Sequence, residues 1–305
     1  MTEQAHGLVV PPGRQGPGPL PSAAVAALDL ALVRRSGGRL PGEHRGIGIG
    51  VGTEFAQLRP YQVGDDVRQL DPAASARTGV PHVRQHVPDR SLTTWIVLDL
   101  SASMAFGTAQ RLKSDVAEGV TRVLARLGAQ RGGRVGIVTC GAATSQVLPP
   151  AGGRRALGAI DRLLARGVAA DGTPQPASLD GALLKVRGLA RDPGLVVVVS
   201  DLRDGGPWQR ALRLLVASGQ QAVAVEVLDP RELELTDAGI VVAVDPETGR
   251  LAEADTSSPR LREAFAAAEA ARREQLAHDL RRAGARHAVV RTDRDWLRDL
   301  GRAIA

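Results

Sequence analysis

The chain has 305 residues, 43% hydrophobic and 24% charged, with a formal net charge of +6. That length carries one large or two modest domains without covalent staples, and the single cysteine, Cys140, excludes an internal disulfide and a cysteine-cluster metal site. Aromatic residues at 2% leave few rings to stack on bases, and the arginines alternate with acids along the whole chain, so the positive charge is not read as a nucleic-acid surface.

Residues 1–22 are rich in Pro and Gly and are expected to form a disordered arm. No basic stretch leading into an apolar core opens the sequence, which points to the cytoplasm as the location. Residues 23–36, "AAVAALDLALVRRS", have the spacing of a short helix, and the glycines of 37–52 predict a loop. The stretch 53–90 is dense in Arg–Asp opposites without a long amphipathic run; Val83, Gln85 and Val87 alternate as in an exposed strand. From residue 94 the pattern changes. Strands are predicted over 94–99, 134–140, 195–200, 221–228 and 286–291. Helices are predicted over 108–128, 154–166, 176–190, 207–218, 258–283 and 294–304. In the first helix Leu112, Val116, Val120, Val123, Leu124 and Leu127 share a face. Pro259 after Ser258 suits a helix start, and Thr292 is the expected cap of the last helix. The longest apolar runs, such as "LVVVV" at 195–199, are too short to cross a bilayer, so no membrane anchor is expected. Apolar strands separated by helices imply a mainly parallel sheet covered on both faces. The expected organisation is an arm (1–22), a small irregular or β segment (23–93) and a doubly wound α/β domain (94–305).

In such a sheet ligands bind beyond the carboxyl ends of the strands, where the strand order switches. The stretch "TTWIVLDLSASMAFG" (93–107) puts Asp99 at that edge, and Ser101 and Ser103 follow at alternate positions, able to face one point as the strand runs out. "LVVVVSD" delivers Asp201 at the same edge, and the glycine-led "ADGTPQP" carries Thr173 between them, with Asp171 and Asp204 as nearby competitors. Oxygen-only ligands favour a hard cation, Mg²⁺ or Mn²⁺. Two carboxylates cancel a divalent charge and leave it able to take one more anionic oxygen, such as a partner's Asp or Glu.

These residues resemble the metal-ion-dependent adhesion site of von Willebrand factor A domains. Asp99, Ser101 and Ser103 match its DxSxS, Thr173 its loop threonine and Asp201 its distal aspartate. The preceding segment is similar to the domain of unknown function 58 family. It carries Gly52, Glu54 and Phe55, then Arg59, Tyr61, Gly64, Asp65, Asp66 and Arg68, then Asp71 and, after a gap, Ala76 and Arg77. Pro72 stands where that family commonly has Trp. The resemblance covers roughly residues 40–305. It implies a non-enzymatic, metal-dependent protein-binding adaptor accompanying a MoxR-type AAA+ ATPase that remodels client complexes.

Other readings compete. DLSAS alone also fits a strand end before a serine-capped helix, and the metal site could be vestigial in a scaffold that binds through residues 54–77. Arg59, Asp65, Asp66, Arg68, Asp71 and Arg77 form either a docking surface or a salt-bridge network that pins a loop. A phosphohydrolase of the haloacid-dehalogenase type needs an acid where Ser101 stands. There is no phosphate-binding G-x-x-x-x-G-K-[ST] loop and no G-x-S-x-G elbow. His82 and His86 lie four apart on an expected strand or loop, where that spacing makes no helix face; Cys140 reads as a small buried hydrophobe, and Asp245 and Glu247 fall in a turn.

Overall fold

The computed structural model describes residues 8–23, 25, 28, 54–62, 65–87, 93–130, 132–172, 174 and 176–304. The chain divides into two compact units, one of residues 37–91 and one of residues 1–36 with 92–305. In chain order, β1 (Leu8–Val9) belongs to the larger unit, and β2 (Glu54–Pro60), α1 (Pro72–Thr78) and β3 (His82–Val87) make the smaller one.

In the smaller unit β2 and β3 pair antiparallel, with a register shift between Phe55 and Gln57. Asp71 caps α1 by accepting from the Ala74 amide at 2.8 Å, and Pro72 is its first residue, where a fixed φ and a missing N–H cost nothing. The helix and β2 were not legible in the sequence; β3 coincides with the alternating stretch.

The larger unit continues with β4 (Thr93–Asp99), α2 (Lys113–Gly128), β5 (Arg134–Cys140), β6 (Val147–Ala151), α3 (Gly153–Leu164), β7 (Val168–Ala169), α4 (Leu179–Leu189) and β8 (Leu195–Ser200). It ends with α5 (Trp208–Ala217), β9 (Gln221–Leu228), β10 (Ile240–Val244), β11 (Leu251–Asp255), α6 (Pro259–Arg282), β12 (Ala285–Arg291) and α7 (Trp296–Ile304). The central sheet has the order β12-β9-β8-β4-β5-β6, parallel except for β6. Alternate residues of its inner strands enter two separate cores. Ile96, Leu98, Val197 and Val199 meet α2, α3 and α7 on one face; Trp95, Val97, Val196 and Val198 meet α4, α5 and α6 on the other. Each such buried side chain contributes about 1.5–3 kcal/mol. This is the doubly wound sheet expected from the sequence, and each of the five predicted strands is present.

Several features depart from the expectations, among them the β10–β11 hairpin and a first helix that starts at Lys113 rather than at 108. Residues 8–22 do not form a disordered arm: β1 pairs with β7, and the following turns pack on α2 and α7, with Val25 and Leu28 in the core beyond them. Backbone amides and Arg14 bind acids on α2, which a Pro/Gly-rich composition does not reveal. The edge strand β6 carries Pro149 and Pro150, tolerated where a partner lies on one side only. Thr292 does not cap α7. Its hydroxyl donates to Asp229 at 2.7 Å, and Asp295 accepts from the Arg298 amide instead. No helix among the described residues is long and apolar enough to cross a membrane.

Candidate functional site

The strand order reverses between β4 and β8, and the expected residues meet there. Asp99 ends β4, and Asp201 directly follows β8; both are buried. Asp99 Oδ1 accepts from the Ser101 amide at 2.9 Å and Oδ2 from the Ser200 hydroxyl at 2.5 Å. Ser101 Oγ lies 3.0 Å from Ser103 Oγ, which donates to Asp201 Oδ2 at 2.9 Å. Four of the five predicted residues therefore share one chain of polar contacts. Thr173 lies outside the described residues; the Gly172 amide before it donates to the Pro246 carbonyl at 2.8 Å, in the β10–β11 turn.

The backbone around these side chains is unusual. Leu202, next to Asp201, has φ 54, a left-handed conformation costing an L-residue about 1–2 kcal/mol. Its buried side chain and the hydrogen bond its amide donates to Ser200 Oγ (2.9 Å) hold it there. Gly141, with φ 70, passes so close that an added Cβ would lie 2.5 Å from the Ser101 nitrogen. The competitor Asp204 is committed to structure, accepting from the Leu179 amide that opens α4 (2.9 Å) and from Gly206 (2.6 Å). Asp171 is exposed in its turn.

Charge sets the two carboxylates apart. Burial and the nearby Asp201 push Asp99 up to about 6, against hydrogen bonds from Ser200 and Ser101. Asp201 is equally desolvated, yet the Lys113 ammonium and the bonds from Lys113, Ser103 and the Arg203 amide hold it below the usual carboxylate range. Lys113 is the residue the sequence reading missed. It is fully buried and donates to Asp201 Oδ2 at 2.7 Å and Glu232 Oε1 at 2.6 Å. Burial pulls its pKa down, but the two carboxylates outweigh that and raise it. From Glu232 the ion pairs continue through Arg203 and Glu269 to Arg272 and Glu226, whose other oxygen lies 2.9 Å from His287 Nε2. Glu247, in the β10–β11 turn, is exposed to solvent, and its carboxyl is pushed up by desolvation and by the charges of Asp201 and Asp99. Cys140 is buried, as expected of a small hydrophobe, and its thiol is pushed well up by desolvation and by Asp99, Asp204 and Asp201.

The donor set suits a hard cation. Burial first and the charge of Asp201 second disfavour the ionised Asp99, and serine hydroxyls lie between the two carboxylates; a divalent ion would favour the ionised pair. Among the described residues no group of three or more His, Cys, Asp or Glu is placed to hold a metal, so any ion here depends on the hydroxyls.

In the smaller unit the candidate docking residues have largely internal partners. Arg59 grips Asp65 with two bonds (2.8 and 2.6 Å), and Asp65, held below its usual range by Arg59 and the Gln62 amide, pins the loop. Asp66 accepts from the Arg68 amide at 3.0 Å, and Asp71 caps α1. The side chains of Asp66, Arg68 and Arg77 are exposed.

Comparison with known proteins follows these lines. The family described as "Protein of unknown function DUF58" matches residues 57–275. The uncharacterized proteins Rv1480 of Mycobacterium tuberculosis and Mb1516 of Mycobacterium bovis are each 39% identical over 314 residues, covering 100% of this chain and 96% of theirs. Among solved structures, the conserved hypothetical protein BatB of Bacteroides thetaiotaomicron is 15% identical with a TM-score of 0.45, covering 70% of this chain and 97% of that one. A von Willebrand factor type A protein of Catenulispora acidiphila is 13% identical with a TM-score of 0.40, covering 74% and 43%. The fold itself rests on the strand order and on the Asp-Ser-Ser edge at its switch. The chain belongs to the DUF58 family and is built around a von Willebrand A-like domain.

Proposed function

We propose that this protein is a non-enzymatic adaptor that binds a protein partner through a divalent ion held by Asp99, Ser101, Ser103, Thr173 and Asp201. The observation that supports it is the continuous contact from Asp99 through Ser101 and Ser103 to Asp201 at the topological switch. Mg²⁺ or Mn²⁺ would supply an open coordination position for an anionic oxygen. The chain's own residues orient the hydroxyls, set the charge and keep the floor of the site dry. Since its two carboxylates only balance a divalent charge, a carboxylate from the partner completes the shell without repulsion. The family resemblance suggests a MoxR-type AAA+ ATPase or its client as that partner, in the cytoplasm.

One observation favours a second reading. Lys113 already gives Asp201 a cation, as in a scaffold whose metal site is vestigial and whose partners dock elsewhere, for example on the exposed Asp66, Arg68 and Arg77. Capture from native lysate decides between them, run with Mg²⁺, with chelator and with Asp99→Ala. Under the adaptor reading a defined partner is retained only by the wild type with metal. The same proteins in all three conditions would establish the scaffold.

A further inference from the structure

Lys113 is out of place by local rules. It is the first residue of α2, at the positive end of the helix dipole, where a cation is disfavoured, and it is completely buried. Its ammonium is held by tertiary contacts: 2.7 Å to Asp201, 2.6 Å to Glu232, and the Phe106 ring with its centroid 5.9 Å away. The oxygen of Asp201 it binds is Oδ2, the same atom that accepts from the Ser103 hydroxyl. An ion that meets Asp201 on the side of Ser103 would share or take over the oxygen that Lys113 occupies, since Oδ1 is turned to the Arg203 amide at 3.2 Å.

Glu232 gives the ammonium a second resting place. It stands on the short turn Pro230–Glu232, anchored by its other oxygen to the Asp229 amide at 3.0 Å, and it is not among the residues assigned to the ion. Resting on the metal reading above, we propose that Lys113 is the resident counter-cation of the site. It holds Asp201 in position and balances its charge in the absence of a divalent ion. When an ion binds, Lys113 yields Asp201 and pairs with Glu232 alone. The lysine thus lowers the affinity for the ion and keeps the site assembled without it. Glu232 also pairs with Arg203 (3.3 Å), which reaches Glu269 on α6 (2.9 Å), so the exchange changes the load on an ion-pair chain leading away from the site.

The test measures Mn²⁺ binding to the full chain, counting free Mn²⁺ by electron paramagnetic resonance, with thermal unfolding in chelator alongside. Lys113→Met removes the competing cation in a similar volume. It should bind Mn²⁺ about tenfold or more tightly than wild type, since a unit charge a few ångströms away acts strongly at a buried site, while melting lower in chelator. Glu232→Gln removes the alternative partner and should weaken binding severalfold. In the double variant the Glu232→Gln effect should largely vanish, because it acts through the lysine. Wild-type binding that neither substitution alters, or a Glu232→Gln effect that persists in full without Lys113, overturns the exchange but leaves the metal site standing. Should Lys113→Met fail to fold, Glu232→Gln decides: weaker binding supports the proposal and unchanged binding refutes it. Absence of Mn²⁺ binding by every folded variant and by the wild type removes the metal reading and this proposal together.

Discussion

Asp99 is a carboxylate that the fold makes reluctant to ionise. Its folded pKa of about 6 lies above the unfolded value of about 4, so the native state holds the proton more tightly. The stability it contributes is full below about pH 4 and is lost as pH rises through about 6. Asp99→Asn mimics the protonated acid, with Ser200 turning its hydroxyl to accept. In chelator at pH 7 this variant should be more stable than wild type by an amount on the order of 3 kcal/mol, and the difference should close near pH 4. Urea titrations at the two pH values test this; equal stabilities at pH 7 would show that Asp99 ionises without strain. Gly141 is the complementary residue. Its positive φ and its approach to Ser101 leave no room for a methyl group. Gly141→Ala should cost about 2 kcal/mol or more and distort the Asp99–Ser101 contact. Thermal unfolding and Mn²⁺ affinity measured on the same sample should both fall; a full-affinity variant would mean the loop relaxes around the new side chain.

The elements that position the site were the most readable part of the sequence. β4 and β8 are buried on both faces, so "TWIVLD" and "LVVVVSD" stand out as apolar runs ending in acids, and the DxSxS spacing names the edge they reach. Other elements are less readable. In β6 the prolines hide an edge strand, and the apolar residues of β10 are exposed rather than buried: Ile240 is 69% and Val242 59% accessible. The run "IVVAV" does have strand character, and Asp245 and Glu247 mark its turn, yet the hairpin is not among the predicted elements. Within the site, Asp201 was legible because it ends a strand, and Lys113 was not. A lysine at the start of an amphipathic helix looks solvated until the fold brings Asp201 and Glu232, 88 and 119 positions away, around it.

At the scale of the whole molecule, the N-terminal segment is a clamp on the helix that carries Lys113. The Gln15 and Gly16 amides donate to Asp115 at 3.0 and 2.8 Å, Arg14 pairs with Glu118 at 2.5 Å, and Trp296 on α7 donates to the Pro17 carbonyl at 3.0 Å. Asp115 is fully buried, and its carboxylate also accepts from the Leu112 amide, fixing the first turn of α2 beside Lys113. A chain beginning at Leu20 would leave Asp115 and Glu118 without these donors. Breaking a buried charge pair costs about 3–5 kcal/mol, but the same truncation admits water, so the expected loss is about 2–3 kcal/mol. In a protein of this size each kcal/mol lowers the melting temperature by about 2–4 °C. The truncated protein should therefore melt several degrees lower and lose hydrogen-exchange protection first at the start of α2. Because Lys113 is the next element of that turn, its grip on Asp201 should loosen as well, and Mn²⁺ should then bind more tightly than to the intact chain. A truncated chain with unchanged melting and unchanged Mn²⁺ affinity would show that the segment lies on the helix without supporting it.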